Sequence, residues 1–449
     1  MSTELRVAVV GAGPSGIYCA EALTTQSVVP ARVDVFDRLP SPYGLVRYGV
    51  APDHLKMKSV VGALAKVMGR ERVRFIGNVD IGVDVPVDVL AEHYHAIVWC
   101  YGASTDRPLG IDGEELPGST SAARFVNWYC GHPDRDLQGD LLAATSVAVI
   151  GNGNVAVDIG RILAKDSGDL LVTDMHDEVL GALAGSQITD ISLIGRGDPL
   201  RAKWTTKELR ELGELADVDV IVNADDLVLD ARSEELYAER KDLARNLDIL
   251  RGWSQLPPRG ARRRLHLRFF QRPAAVVGTD HVSALRLERT KLEQDGRVVG
   301  TGFQEDLPVE MIVRAAGYRG RPLGNLPFDE SSGTMPNDAG RVRRGGDQGV
   351  GHYAAGWIKR GPSGVIGTNR VDAAETVASI VSDADRLLSR DLPNSGEFEA
   401  LMSEHGATPV TWDDWLAIDA AEVALGAAVD RARIKIADRS DLLAVARTR

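Results

Sequence analysis

The chain has 449 residues, enough for two or three domains and a large buried core. With 44% hydrophobic and 26% charged residues it reads as globular, and its net charge of −12 argues against nucleic acid as the main partner. No apolar run approaches the roughly 18 residues of a membrane helix, and the start MSTELRVAVV shows no signal peptide, so the expected location is the cytoplasm.

The first elements form a βαβ unit. LRVAVV (5–10) predicts a strand, GAGPSG (11–16) a turn and the residues from Ile17 a helix; VDVF (33–36) is a second strand closing on Asp37. Cys19 falls in that helix, and Cys100 ends a later apolar strand. With Cys130 they make no CxxC, so they read as buried packing thiols, with no metal or cluster site among them. A Pro/Gly-rich loop, RLPSPYGLVRYGVAPDH (38–54), leads to a helix over 55–68 and strands at 72–79 and 95–103. From 146 the pattern restarts: SVAVI is a strand, GNGNVA (151–156) the turn, VDIGRILA (157–164) a helix and DISLIG (190–195) a strand. Helices are expected at 205–213 and 234–250, and strands at 264–270, 282–289 and 307–314. The chain then gives YAAGW (353–357), the turn GPSGVIGTN (361–369), and helices near 370–388 and 411–426. The one long-range echo is the pair of glycine turns.

A strand, a glycine turn and a helix make an anion cradle. The first glycine permits the turn, the second lets the backbone approach a pyrophosphate, and the helix N-terminus supplies unpaired N–H groups. Asp37 ends the strand after the first turn, where a carboxylate accepts hydrogen bonds from both ribose hydroxyls. That site should take a ribose with free hydroxyls, as in FAD or NAD. The second turn carries Ala156 at its third glycine position, and its next strand is followed by Arg196. An arginine fork holds a 2′-phosphate, so this site leans toward NADP. Two unlike dinucleotides in one chain imply hydride transfer between a nicotinamide and a flavin.

VAVVGAGPSG, SPYGLVRYGVAPDH, GNGNVAVDIGRIL, KELREL, AAGYRG and GWIKRGPSGVIGTN together resemble the bacterial adrenodoxin reductase-like ferredoxin–NADP reductases. The match runs from near residue 5 to at least 382; the final sixty residues are less distinctive. The resemblance implies an α/β fold of two Rossmann-like domains, with the NADP domain (107–318) inserted into an FAD domain (1–106 and 319–449, ending in C-terminal helices). It implies that Gly11, Gly13, Pro14, Ser15, Asp37, Leu45, Val79, Trp357, Gly364, Val365 and Ile366 line FAD. Arg107, Asn152, Gly153, Asn154, Val155, Arg196 and Glu211 would hold NADP, with NAD as the other nicotinamide coenzyme open to it. Gly364 would lie where nicotinamide meets flavin. His54 and Asp158 would lie close together beside the two rings, as catalytic groups or in fixing geometry, with His54 also a candidate cap of the helix that follows it. The implied activity is hydride transfer from NAD(P)H to FAD, then single electrons to a ferredoxin-type iron–sulfur protein.

One departure bears on the coenzyme. The family usually has two consecutive arginines at the 2′-phosphate, and IGRGDPLRAKW keeps Arg196 but follows it with Gly197 and Asp198. An acid turned toward the phosphate costs about 4 kcal/mol at about 4 Å and a dielectric near 20. Arg201 and Lys203 lie nearby as compensating cations, and NADPH is expected over NADH. An acidic partner is expected to dock on basic islands: Arg240, Lys241 and Arg245 on one helix, and the six arginines of RGARRRLHLRFFQR (259–272), read as a strand with one exposed basic face.

Two rivals stand beside this reading. A chain like the small subunit of glutamate synthase shares the GLVRYG-type loop but carries a cysteine-rich N-terminal segment. A redox-responsive protein that binds nucleotides without turnover is the alternative outside enzymes.

Overall fold

The computed structural model describes residues 4–137, 139–343 and 351–448. The chain divides into two compact units, the first Met1–Thr105, Cys130–Asp134 and Tyr318–Arg449, the second Asp106–Tyr129 and Arg135–Gly317.

The first unit is built on a seven-stranded sheet in the order Asn337–Asp338, Arg341–Val342, His352–Ala354, Ala96–Trp99, Leu5–Val10, Ala31–Phe36, Val73–Ile76. The last five run parallel, and the register pairs Val10 with both Phe36 and Trp99, and Trp99 with Ala354. Strands covered on both faces need apolar residues at every position, which is why LRVAVV does not alternate. Val7, Val9, Val33 and Val98 pack one face beneath the helices Pro14–Thr25 and Thr368–Ser382, together with Ile17, Val377 and Ile380. Ala8, Val10, Phe36, Ile76 and Trp99 pack the other with Leu90, Ala354 and Phe398.

The final helices, Ser395–Glu404, Trp412–Ala427 and Arg439–Ala446, belong to this core. Phe398 stands edge-on to Phe36 at 5.9 Å, and Trp415 edge-on to Tyr43 at 5.8 Å. Below Trp415 lies a buried ion cluster. The Glu422 carboxylate, fully buried, accepts from both terminal nitrogens of buried Arg47, from Arg433 at 3.2 Å and from the Ile436 amide at 3.0 Å. Lys435, also fully buried, donates to the carbonyls of Arg47 and Cys130. This cluster fixes the loop that the motif YGLVRYG forms. It also draws Cys130–Asp134 into the first unit, a departure from the expected boundary at 107. Arg439 and Arg38 hold Asp134, and the His132 ring lies against Tyr48 at 4.9 Å.

The second unit is a six-stranded sheet in the order Ser119–Ser121, Met311–Arg314, Ser146–Ile150, Asp190–Ile194, Arg263–Arg268, Val218–Val222, parallel throughout. An antiparallel sheet of Gln271–Gly278, Val282–Leu292 and Val298–Pro308 completes it. Both units are α/β with parallel sheets, as expected for Rossmann-like domains.

Two expectations are corrected here. The helix at 234–250 is two, Ala231–Glu239 and Lys241–Ser254, because Arg240 leaves the helical region at φ −109°, ψ 93°. The arginine run forms the expected strand with outward arginines exposed, but it is not a face of free positive charge, because most of its arginines are paired. Arg263 is buried and donates to the carbonyls of Ala164, Lys165 and Ile188. Arg264 meets Asp190 at 2.7 Å, Arg268 meets Ser192 at 3.3 Å, Arg259 meets Asp219 at 3.3 Å and Arg272 meets Glu288 at 2.6 Å. No helix among the described residues is long and apolar enough to cross a membrane.

The Arg47–Glu422 pair should matter far more than a surface pair. Removing one member strands the other in the core, at about 3–5 kcal/mol. Glu422→Gln should lower the thermal midpoint by several degrees, while Glu399→Gln, which breaks the exposed pair with Arg74, should leave it within about 1 °C. Equal midpoints for the two variants would contradict this ranking.

Candidate functional sites

The first site grows from the strand Leu5–Val10. At Gly11, with φ +115°, a Cβ would lie 2.5 Å from the Cys100 carbonyl oxygen; at Gly16 it would lie 2.0 Å from the Gly11 carbonyl. Both positions exclude a side chain for packing reasons. Gly13 differs: its nearest neighbour would be the Gly44 Cα at 3.9 Å, so the space over it is open. Gly13 is the N-cap of Pro14–Thr25, with no side-chain cap and Pro14 in the first turn. The helix therefore presents its first amides unpaired beside that space. Asp37 faces the same turn. Its carboxylate accepts from the Ala12 amide at 2.8 Å and the Leu39 amide at 2.9 Å, which leaves further lone pairs on both oxygens. Burial raises the Asp37 carboxyl above the usual carboxylate range, opposed by those two amides and the Arg38 charge.

Two loops flank this cradle. The Tyr43 amide bonds to the Ala12 carbonyl at 2.7 Å, and Leu45 opens the helix Leu45–Tyr48 with its side chain exposed. Val79 is buried in the core and its amide bonds to the Asp37 carbonyl at 3.0 Å. From the C-terminal part, Gly356 (φ +77°) comes so near Ser15 that a Cβ there would lie 2.2 Å from its Oγ. Trp357 follows, stacked on Tyr318 at 6.0 Å. Gly364 (φ +81°) and Val365 are exposed, and Ile366 packs on the core.

Sequence reasoning missed the residue that joins these pieces. The Asn369 side-chain Oδ1 accepts from Ser15 Oγ at 2.9 Å and from Arg360 Nη2 at 2.7 Å. Asp372 then holds the Gly356 amide and meets Lys359 at 2.9 Å. Asn369 and Arg360 stand inside GWIKRGPSGVIGTN, yet nothing in their local spacing names their partners. Main-chain amides over an open glycine, a carboxylate for ribose and apolar Leu45 and Val365 together form a donor set that fits FAD.

The second site repeats the plan. At Gly151 (φ +150°) a Cβ would lie 2.4 Å from the Ala315 carbonyl oxygen, while at Gly153 nothing lies within 4 Å. Gly153 caps Asn154–Ala164 without a side-chain cap, and Ala156 is buried in the third glycine's place. Val155 is half-buried beside it. The Asn154 Oδ1 is buried with no hydrogen-bond partner among the described residues. That orphaned acceptor, free helix amides and an open glycine fit a second dinucleotide. Asn152 packs on Gly195, where a Cβ would lie 1.7 Å from its Nδ2.

Arg196 is exposed, and among the described residues nothing bonds its guanidinium. Its backbone is fixed on both sides: Thr290 Oγ1 donates to the Arg196 carbonyl at 2.7 Å, the Gln271 amide to Gly195 at 3.0 Å and the Phe270 amide to Gly197 at 3.1 Å. Asp198 does not oppose it. Its carboxylate is buried, capping Pro199–Arg201 through the Arg201 amide at 2.9 Å and accepting from Ser233 Oγ at 2.7 Å. Arg201 is drawn to the same acid at 3.6 Å, so it is not a spare cation. Glu211, on Thr206–Gly213, sits between Lys207 at 3.1 Å and Arg161 at 3.7 Å. Buried Arg161 also binds Asp158 at 2.8 Å. Arg107 is exposed, with its amide on the Gly317 carbonyl at 2.9 Å. In the first unit His54 is buried and precedes Leu55–Lys58, but its side chain does not cap that helix; only its backbone serves there.

Fold and sites define a protein with two dinucleotide-binding units. The FAD-NAD(P)-binding family model matches residues 8–76. The chain is 39% identical to the NADPH-ferredoxin reductase FprA of Mycobacterium tuberculosis, over 98% of both chains. It is 39% identical to the human mitochondrial NADPH:adrenodoxin oxidoreductase, over 98% of this chain and 91% of that one. A solved structure of M. tuberculosis FprA in complex with NADPH matches with a TM-score of 0.94 at 38% identity, over 99% of both chains. The chain belongs to the family of NADPH-dependent ferredoxin and adrenodoxin reductases.

The open and closed glycines separate binding from folding. Gly153→Ala should keep the wild-type thermal midpoint and weaken NADP⁺ binding at least about tenfold, since its methyl enters only ligand space. Gly151→Ala should depress the midpoint, since its methyl meets backbone. Calorimetric titration with differential scanning checks both; a Gly153→Ala protein that binds normally would contradict the assignment.

Proposed function

We propose that this protein is an FAD-dependent NADPH:ferredoxin oxidoreductase, which takes a hydride from NADPH and passes single electrons to a ferredoxin-type iron–sulfur protein. One observation carries the reading: two glycine turns in one chain, the first followed by Asp37 and the second by Arg196. A bound FAD supplies the conversion between one two-electron transfer and two one-electron transfers.

The chain's own residues bind and orient. Gly11 and Pro14 shape the turn, the main-chain amides of Gly13 and Ser15 face the flavin dinucleotide's pyrophosphate, and Asp37 takes its ribose. Leu45, Val79, Trp357, Gly364, Val365 and Ile366 line the remainder. Asn369, by tying Ser15 to Arg360, keeps the return loop against the first turn. In the second unit Asn152, Gly153, Asn154 and Val155 receive the NADPH pyrophosphate, Arg196 forks the 2′-phosphate, and Arg107 and Glu211 complete the site. Hydride transfer needs no proton at the nicotinamide, so His54 and Asp158 are assigned to orientation; Asp158 acts by holding Arg161, which also reaches Glu211.

An acidic ferredoxin needs uncommitted positive charge. Arg240 is tied to Asp242, and most of the 259–272 run is paired. Lys241, Arg245 and Arg262 are exposed and form no ion pair among the described residues, so they are the proposed steering charges. The cytoplasmic location expected from the sequence belongs to the same reading.

Anaerobic mixing of the holoenzyme with each coenzyme, followed at about 450 nm where oxidised flavin absorbs, tests the proposal. NADPH should bleach the flavin faster than NADH at equal subsaturating concentration, and Arg196→Ala should cut the NADPH efficiency by about tenfold or more while sparing NADH. No bleaching with either coenzyme would overturn the enzyme reading, and faster bleaching with NADH would overturn the coenzyme assignment.

A further inference from the structure

The second glycine turn has a companion segment that the coenzyme reading leaves unused. After Pro199–Arg201 the chain runs back beside the turn: the Lys203 amide donates to the Asn152 carbonyl at 2.7 Å, and Lys203 and Gly153 form a parallel bridge. Bridged residues have their Cα atoms about 4.8 Å apart. Gly153 is the N-cap of Asn154–Ala164, with open space where its Cβ would be.

We propose that Lys203 is the cation that holds the pyrophosphate of the nicotinamide dinucleotide. In extended chain, neighbouring side chains point to opposite sides. Ala202 and Trp204 are buried, and Lys203 between them is exposed. A lysine side chain extends roughly 6 Å from its Cα, more than the distance to the glycine it pairs with. Among the described residues Lys203 forms no ion pair, whereas its neighbours are committed: Arg201 to Asp198, Lys207 to Glu211, Arg161 to Asp158. The helix N-terminus offers about half a positive charge to a group that carries two negative ones. A flexible ammonium beside it supplies the missing charge.

This assignment rests on reading the second turn as a dinucleotide site and differs from a simple replacement of the missing arginine. The pyrophosphate is common to NADPH and NADH, so Lys203 strengthens both, and discrimination stays with Arg196.

Calorimetric titration of the holoenzyme with NADP⁺, NAD⁺ and 2′-AMP tests it, because 2′-AMP has the 2′-phosphate and no pyrophosphate. Lys203→Ala should weaken NADP⁺ and NAD⁺ by the same factor, about tenfold, and leave 2′-AMP unchanged; Lys203→Arg should restore most of the loss. Arg196→Ala should weaken NADP⁺ and 2′-AMP and spare NAD⁺. Unchanged NADP⁺ binding in Lys203→Ala would overturn the proposal and leave the functional reading intact. Loss of 2′-AMP binding in Lys203→Ala would overturn it by moving the lysine to the 2′-phosphate. Failure of the wild-type protein to bind NADP⁺ at all would overturn the functional reading itself.

Discussion

The carbonyl just beyond a strand, pressed against a glycine with no room for a side chain, recurs in both units, and the rest of the molecule is arranged around it. In the first, the Cys100 carbonyl meets Gly11; in the second, the Ala315 carbonyl meets Gly151. Each contact lets the neighbouring parallel strand close to its end, so strand tip, turn and helix start converge at the carboxyl edge of the sheet. A helix amide row then faces outward beside a second glycine, Gly13 with the Gly44 Cα at 3.9 Å and Gly153 with nothing within 4 Å. The same backbone constraint, used twice, yields two anion cradles. What distinguishes them is one residue beyond the next strand, Asp37 in one and Arg196 in the other.

A cradle open to solvent at one end must be closed by something else, and in the first unit the C-terminal part of the chain does this. Asn369 reaches Ser15, Gly356 fits against the same serine, and Glu422 fixes Arg47 in the loop beyond Gly44. These are polar, directional contacts, where shape-tolerant apolar packing would leave the loops free to shift. In the second unit the antiparallel sheet serves the same end. Phe270, Gln271 and Thr290 hold the backbone of Gly195–Gly197, so the Arg196 guanidinium projects from a fixed base.

The cradles were legible from sequence because glycine spacing is a backbone requirement, and a backbone requirement leaves a local mark. Asp37 and Arg196, the proposed ribose and phosphate partners, could be picked out because they follow strands whose apolar runs are themselves visible. The closing contacts were not legible. Ser15 and Asn369 are 354 residues apart and Arg47 and Glu422 are 375 apart, so no local pattern relates them. Asp198 looked like a threat to the coenzyme because its fate depends on a hydroxyl 35 residues away, on Ser233. The arginine run looked like free positive charge for the same reason. Its alternation was read correctly, but Asp190, Ser192 and Asp219, which satisfy it, lie on neighbouring strands.

The central claim is that one chain holds two unlike dinucleotides at once, each in its own cradle. The most direct measurement is the stoichiometry of the purified holoprotein, with released flavin quantified per chain before and after saturation with NADP⁺. The account predicts one FAD per chain throughout, with one NADP⁺ added beside it and no flavin displaced. Release of FAD as NADP⁺ binds, or a second FAD in the place of NADP⁺, would contradict it.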